Sequence, residues 1–154
     1  MAAAISWKDE YSVNIQEIDE QHKMLIQMID DLFLAISRNE GQNQEECEVR
    51  KILERLLDYT RIHFAVEESL MRIFDYPDYE AHKAKHDRFI DEVRMFERRL
   101  KSDNRSKSSE QLVAMEMLFK LKEWLVNHIL VIDKAYSRHM LNRGAARSWI
   151  RKFW

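Results

Sequence analysis

Seven side chains carry the chemistry that this sequence offers: His22, His63, Glu67, His82, His86, His128 and Asp133. His63 and Glu67 are four residues apart, as are His82 and His86, so each pair would project from one face of a helix. His128 and Asp133 are five apart. The chain has six histidines, and only His139 falls outside the set. Each member alone has a bland explanation. A single core histidine usually bonds locally, His82 with His86 could be a surface pair, and His63 with Glu67 could be an ion pair across one turn. The seven together make a different case, and it depends on the elements that would hold them.

Four segments show helical periodicity, with apolar steps of three and four residues. Ile18, His22, Leu25, Ile29, Leu32 and Ile36 form the first stripe. Val49, Leu53, Leu56, Thr60, His63, Glu67, Leu70 and Phe74 form the second. Tyr79, His82, His86, Phe89, Val93, Phe96 and Leu100 form the third, and Ala114, Leu118, Leu121, Leu125 and His128 the fourth. Helices are expected at about 18–37, 45–75, 78–101 and 109–141. Between them lie Asn39, Gly41 and Asn43, the turn Tyr76-Pro77-Asp78 with Asp78 as N-cap, and a serine-rich stretch from Ser102 to Ser109. Two glycines and one proline leave little turn chemistry for a many-stranded fold. Short links make neighbours antiparallel, so the expected fold is an all-α, up-down-up-down four-helix bundle. Residues 1–17 read as an irregular arm whose Trp7, Tyr11, Val13 and Ile15 pack on the bundle.

In such a bundle all seven residues fall within roughly 5 to 18 Å of one end, at 1.5 Å per residue. Burying polar groups unpaired costs roughly 2–7 kcal/mol each, so a shared level on four helices needs a shared partner. Five imidazoles and two carboxylates are too many for one metal ion. A structural zinc would favour cysteine, and HKAKH lacks the glutamate of the zinc-protease motif. Two octahedral ions offer twelve positions. Five imidazoles, two bridging carboxylates and one bridging oxygen fill all but one. Nitrogen and oxygen donors in that geometry suit iron or manganese, with a single position left for a small diatomic ligand. Ferritin-like bundles use Glu-x-x-His and more carboxylates, whereas here the order is His-x-x-x-Glu. Neutral donors compensate less metal charge, which tilts the site from oxygenase chemistry toward reversible binding.

Residues five apart on a regular helix point about 140° away from each other. His128 and Asp133 therefore call for one extra residue in a turn, a π-bulge. In that case Tyr136 and Met140 rejoin the core. Without it the stripe would run through Ile132, Ala135 and His139, with Asp133 reaching in from the flank.

The segments IDEQHKMLI, HFAVEESLM, YPDYEAHKAKH and WLVNHILVID resemble the hemerythrins, in particular the bacteriohemerythrin branch. The resemblance covers roughly Ile5 to Leu141. It implies two non-haem irons joined by a bridging oxo or hydroxo group. His82, His86 and His128 would hold one iron, His22 and His63 the other, and Glu67 and Asp133 would bridge both. It further implies that dioxygen binds end-on at the two-histidine iron and that Leu125 lines the oxygen pocket. The expected function is reversible dioxygen binding for transport, storage or delivery, not enzymatic turnover. The alternatives are an oxygen or redox sensor acting through a partner, or a di-iron oxidase, peroxidase or nitric oxide reductase.

The 154 residues are enough for one domain, expected at 1–141, followed by a tail at 142–154. Net charge is −2, which argues against nucleic acid as a partner. From Lys134 to Trp154 there are six Lys or Arg and no acid. Trp149, Ile150, Phe153 and Trp154 would share a helical face there, near Arg147, Arg151 and Lys152. That tail could pack on its own bundle, dock an acidic protein partner, or touch a membrane surface. Cys47 is the only cysteine, so no intrachain disulfide can form and a cytoplasmic setting is expected.

Overall fold

Local contacts set the start of the first helix and the turn between the second and third. A computed structural model describes residues 4–38, 45–100 and 107–144. Helix α1 spans Gln16–Arg38, α2 Glu45–Ile73, α3 Tyr79–Leu100 and α4 Lys107–Asn127. A π-helical segment, His128–Asp133, joins α4 to α5, Lys134–Asn142. The fourth expected helix is thus one rod with a widened turn in its middle. The tail residues Arg147, Trp149, Ile150, Arg151, Lys152, Phe153 and Trp154 lie outside the described residues, as do Asn39, Gly41 and Asn43.

The arm is more ordered than the sequence led us to expect. It holds a short 3-10 turn at Asp9–Tyr11, and α1 begins two residues early. The cause is Asp19, whose carboxylate accepts from the Ser12 hydroxyl at 2.6 Å and the Val13 amide at 2.8 Å. Asn14 takes a positive φ of 63° to make this bend, a conformation asparagine tolerates better than most residues. Tyr11, Val13 and Ile15 are buried, and Trp7 packs on the core.

At the other turn, Asp75 adopts φ 53° and the Tyr76 amide bonds back to the Met71 carbonyl at 2.8 Å. This left-handed cap stops α2, and Pro77 follows it. Asp78 sits at the N-cap position of α3, where its carbonyl accepts from the His82 amide at 2.9 Å.

The helices close in a ring in which α1 packs on α2 and α4, and α3 packs on α2 and α4. Their stripes meet in a core that includes Leu32, Leu53, Met117 and Leu118. Each such side chain contributes about 1.5–3 kcal/mol when fully buried. A second, smaller core gathers Val13, Ile15, Ile18, Met71, Tyr136 and Met140 at the arm end. No helix among the described residues is long and apolar enough to cross a membrane.

Candidate metal centre

All seven expected residues are buried, none more than 4% exposed. α1 delivers His22, α2 delivers His63 and Glu67, α3 delivers His82 and His86, and the π segment delivers His128 and Asp133. The π segment is what lets the last two face inward together. Beyond it Tyr136 and Met140 are fully buried, while Ile132 within it and His139 after it are only partly so. The bulge, not a reach from the flank, is the geometry present.

The donor atoms fall into two groups. One comprises Glu67, His82, His86, His128 and Asp133, the other His22, His63, Glu67 and Asp133, and within each group the atoms lie within 4.8 Å of one another. The two carboxylates belong to both. Glu67 Oε1 contacts His63 Nε2 and lies 3.3 Å from His22 Nε2. Glu67 Oε2 lies 3.5 Å from His82 and 3.6 Å from His86. Asp133 Oδ2 is 3.0 Å from His22, and its Oδ1 is 3.0 Å from His128 and 3.3 Å from His82.

These distances test whether a metal fits. The Nε2 atoms of His82, His86 and His128 form a triangle with sides of 3.0, 3.1 and 3.2 Å. Its centre lies about 1.8 Å from each corner (side divided by √3), and metal–imidazole bonds run about 2.0–2.1 Å. An ion just off that plane would touch all three. His86 Nδ1 lies 3.3 Å from Glu68 Oε2; a carboxylate only accepts, so the proton sits on Nδ1 and Nε2 turns a lone pair inward. Glu67 Oε2 and Asp133 Oδ1 are buried without a hydrogen-bond partner among the described residues. Inward lone pairs and orphaned carboxylate oxygens are the donor set a cation requires.

The electrostatics agree. Burial alone would raise the Glu67 carboxyl, but the His63 charge and the nearby imidazoles of His22, His63 and His82 hold it well below the carboxylate range. Burial and the Glu67 charge would raise Asp133, yet His128 and His22 hold it low too. Burial opposes protonation of His22 and His82, but Asp133 and Glu67 overcome it and lift each to about 9. His86 is pushed down to about 3, chiefly by burial, with the charges of His128 and His82 adding to it. Glu67 and Asp133 thus hold His22 and His82 in their protonated form despite their burial.

The profile described as Hemerythrin HHE cation binding domain matches residues 13–139. The chain belongs to the hemerythrin family. It is 35% identical over 135 residues to a bacteriohemerythrin of Stenotrophomonas maltophilia, covering 88% of this chain and 80% of that protein. A bacteriohemerythrin of Methylococcus capsulatus is 30% identical over 135 residues, covering 87% and 95%. A myohemerythrin of Theromyzon tessulatum is 29% identical over 130 residues, covering 84% and 88%. The crystal structure of wild-type hemerythrin superposes with a TM-score of 0.74 at 29% identity, over 90% of this chain and 98% of that one.

Within this hemerythrin fold, several contributors escaped the sequence reading. Gln21 Oε1 takes the Nδ1 side of His63 at 2.6 Å, and Glu68 stands behind His86. Partial burial raises the Glu68 carboxyl, opposed by Lys83. Phe64 stacks on His86 with centroids 3.7 Å apart, and Trp124 stacks on His128 at 4.2 Å. Trp124 is four residues before His128, a spacing that could have flagged it. Gln21 and Glu68 sit beside the stripes and gave no such signal. Leu125 is buried in the main core one turn before His128. His139 lies apart and bonds the Phe74 carbonyl at 2.8 Å.

Proposed function

We propose that this chain binds dioxygen reversibly at a di-iron centre, for transport, storage or delivery. The observation that carries the reading is the pair of donor groups sharing Glu67 and Asp133. His82, His86 and His128 would hold one iron and His22 and His63 the other, with Glu67 and Asp133 available to both. Two ferrous ions there would supply the electrons that dioxygen draws on when it binds and returns when it leaves.

The residues do the rest. Three imidazoles fill one half, and two leave the other a position short, by the coordination count of two octahedral ions. A bridging oxo or hydroxo group would complete that count. Leu125 lines the oxygen pocket, and the surrounding apolar core keeps out the water that would promote side reactions. The lone Cys47 suits a reducing, cytoplasmic setting. Membership in the hemerythrin family, with relatives named bacteriohemerythrin and myohemerythrin, supports the whole assignment.

The test is direct. Purified protein should hold about two irons per chain, given ligands for two octahedral ions. Anaerobic reduced protein should gain visible charge-transfer bands on exposure to oxygen and lose them under vacuum. One zinc per chain, or no colour change with oxygen, overturns the reading. Sustained turnover with a reductant would make the protein an enzyme instead.

A further inference from the structure

The two halves of the centre differ in what stands behind their imidazoles. Behind His86 is a carboxylate, Glu68 Oε2, 3.3 Å from Nδ1. Behind His63 is a neutral amide, Gln21 Oε1, at 2.6 Å. The Nδ1 atoms of His22 and His82 have no hydrogen-bond partner among the described residues. The Glu68 side chain is only 14% exposed, and Phe64 stacks on the far component of the pair, the His86 ring, at an interplanar angle of 3°. The ring can therefore neither tilt away from Glu68 nor rotate its Nε2 out of the triangle with His82 and His128.

We propose that Glu68 is a positioning residue that makes the two metal positions unequal: its carboxylate accepts the His86 Nδ1 proton and strengthens the three-histidine position. The inference rests on the di-iron reading and assigns a cause for asymmetry within it. A carboxylate accepting from Nδ1–H leaves more electron density on Nε2, so His86 donates more strongly to a metal. Stronger donation favours the more highly charged ion, so the same contact lowers the reduction potential of that half. Gln21 orients His63 but brings no charge, and the two-histidine half lacks this bias.

Substitution of such a partner typically changes metal affinity 10–100-fold. The experiment is an anaerobic titration of the metal-free protein with ferrous ion, followed by a reductive titration of the loaded protein. The wild type should show two unequal binding steps. Glu68→Gln keeps the shape and an acceptor but removes the charge. It should weaken one step about tenfold and leave the other unchanged. A tenfold shift between ferric and ferrous affinity corresponds to about 59 mV, so the potential should rise by an amount of that order. Gln21→Glu places a carboxylate behind His63 and should strengthen the other step.

Asp87→Asn is the control. Asp87 is one residue from His86, exposed, and paired with Lys83 at 2.7 Å. It should leave both steps and the potential in place. A Glu68→Gln protein that matches the wild type in both titrations overturns the proposal. So does an Asp87→Asn protein that reproduces the Glu68→Gln effect, because charge alone would then be the cause. If Glu68→Gln does not fold, Gln21→Glu decides, and an unchanged second step overturns the idea. A wild type that takes up no ferrous ion would instead sink the di-iron reading, so the two failures are distinguishable.

Discussion

Deleting Val131 should leave the metal centre standing. Val131 lies in the middle of the π segment and is 66% exposed. On a regular helix His128 and Asp133 would be about 500° apart, which leaves them 140° out of line. Removing one residue between them makes the separation about 400°, or 40° out of line, with a rise of about 6 Å. A plain α-turn would then present both side chains to the site. Everything after Asp133 keeps its face, so Tyr136 and Met140 stay in the small core. The opposite change, an alanine inserted after Val131, adds about 100° of rotation and turns both away. Tyr136 and Met140 are fully buried, and losing both burials costs about 3–6 kcal/mol. At about 2–4 °C per kcal/mol for a chain of this size, the melting temperature should fall by roughly 6–24 °C. Iron content per chain and thermal unfolding of the two variants are the assays. A deletion variant that folds but holds no iron would refute the reasoning, because the widened turn itself, and not merely its facing, would then be required.

Other substitutions probe the same centre. Glu67→Ala removes a donor common to both groups and should abolish iron binding, whereas His139→Ala should leave iron content unchanged; equal losses by elemental analysis would contradict the assignment. With His22 and His82 each at about 9, metal-free protein at pH 7.5 holds both protonated, and ferrous uptake should release protons in weakly buffered solution; uptake without proton release would contradict this. The sign for stability follows from the same shifts. Both histidines are raised above their ordinary 6.5, so their contribution is full below that value and is lost as pH climbs through 9. Calorimetry of the metal-free protein should show a falling melting temperature from pH 6.5 to 9, and a rise there would defeat the account. Leu125→Ala should cost about 2–5 kcal/mol of stability through the cavity it leaves and speed oxygen release, read by denaturant titration and stopped-flow.

Much of this was legible in the sequence because it rests on periodicity. The stripe from Ala114 to His128 foretold α4, and the five-residue step to Asp133 foretold the π segment, because helix geometry leaves few ways to reconcile the two. The arm was harder. Its bend depends on Asp19 meeting Ser12 and Val13, a contact between residues whose spacing carries no helical signal. The partners behind the imidazoles were not legible at all. Gln21 and Glu68 look like solvent-facing neighbours of their ligands, and only the crossing of α1 with α2 and of α2 with α3 gives them a role.

The turn at Pro77 has a consequence for how the chain could be divided. It separates His22, His63 and Glu67 on one side from His82, His86, His128 and Asp133 on the other. Neither fragment owns a complete donor group, since both groups draw on carboxylates from both sides. A polypeptide cut at this turn would therefore lose its metal site in each piece alone and regain it only when the pieces are joined. Separately made halves should each fail to hold iron, and mixing them with ferrous ion should restore it, with colour as the report of their reunion.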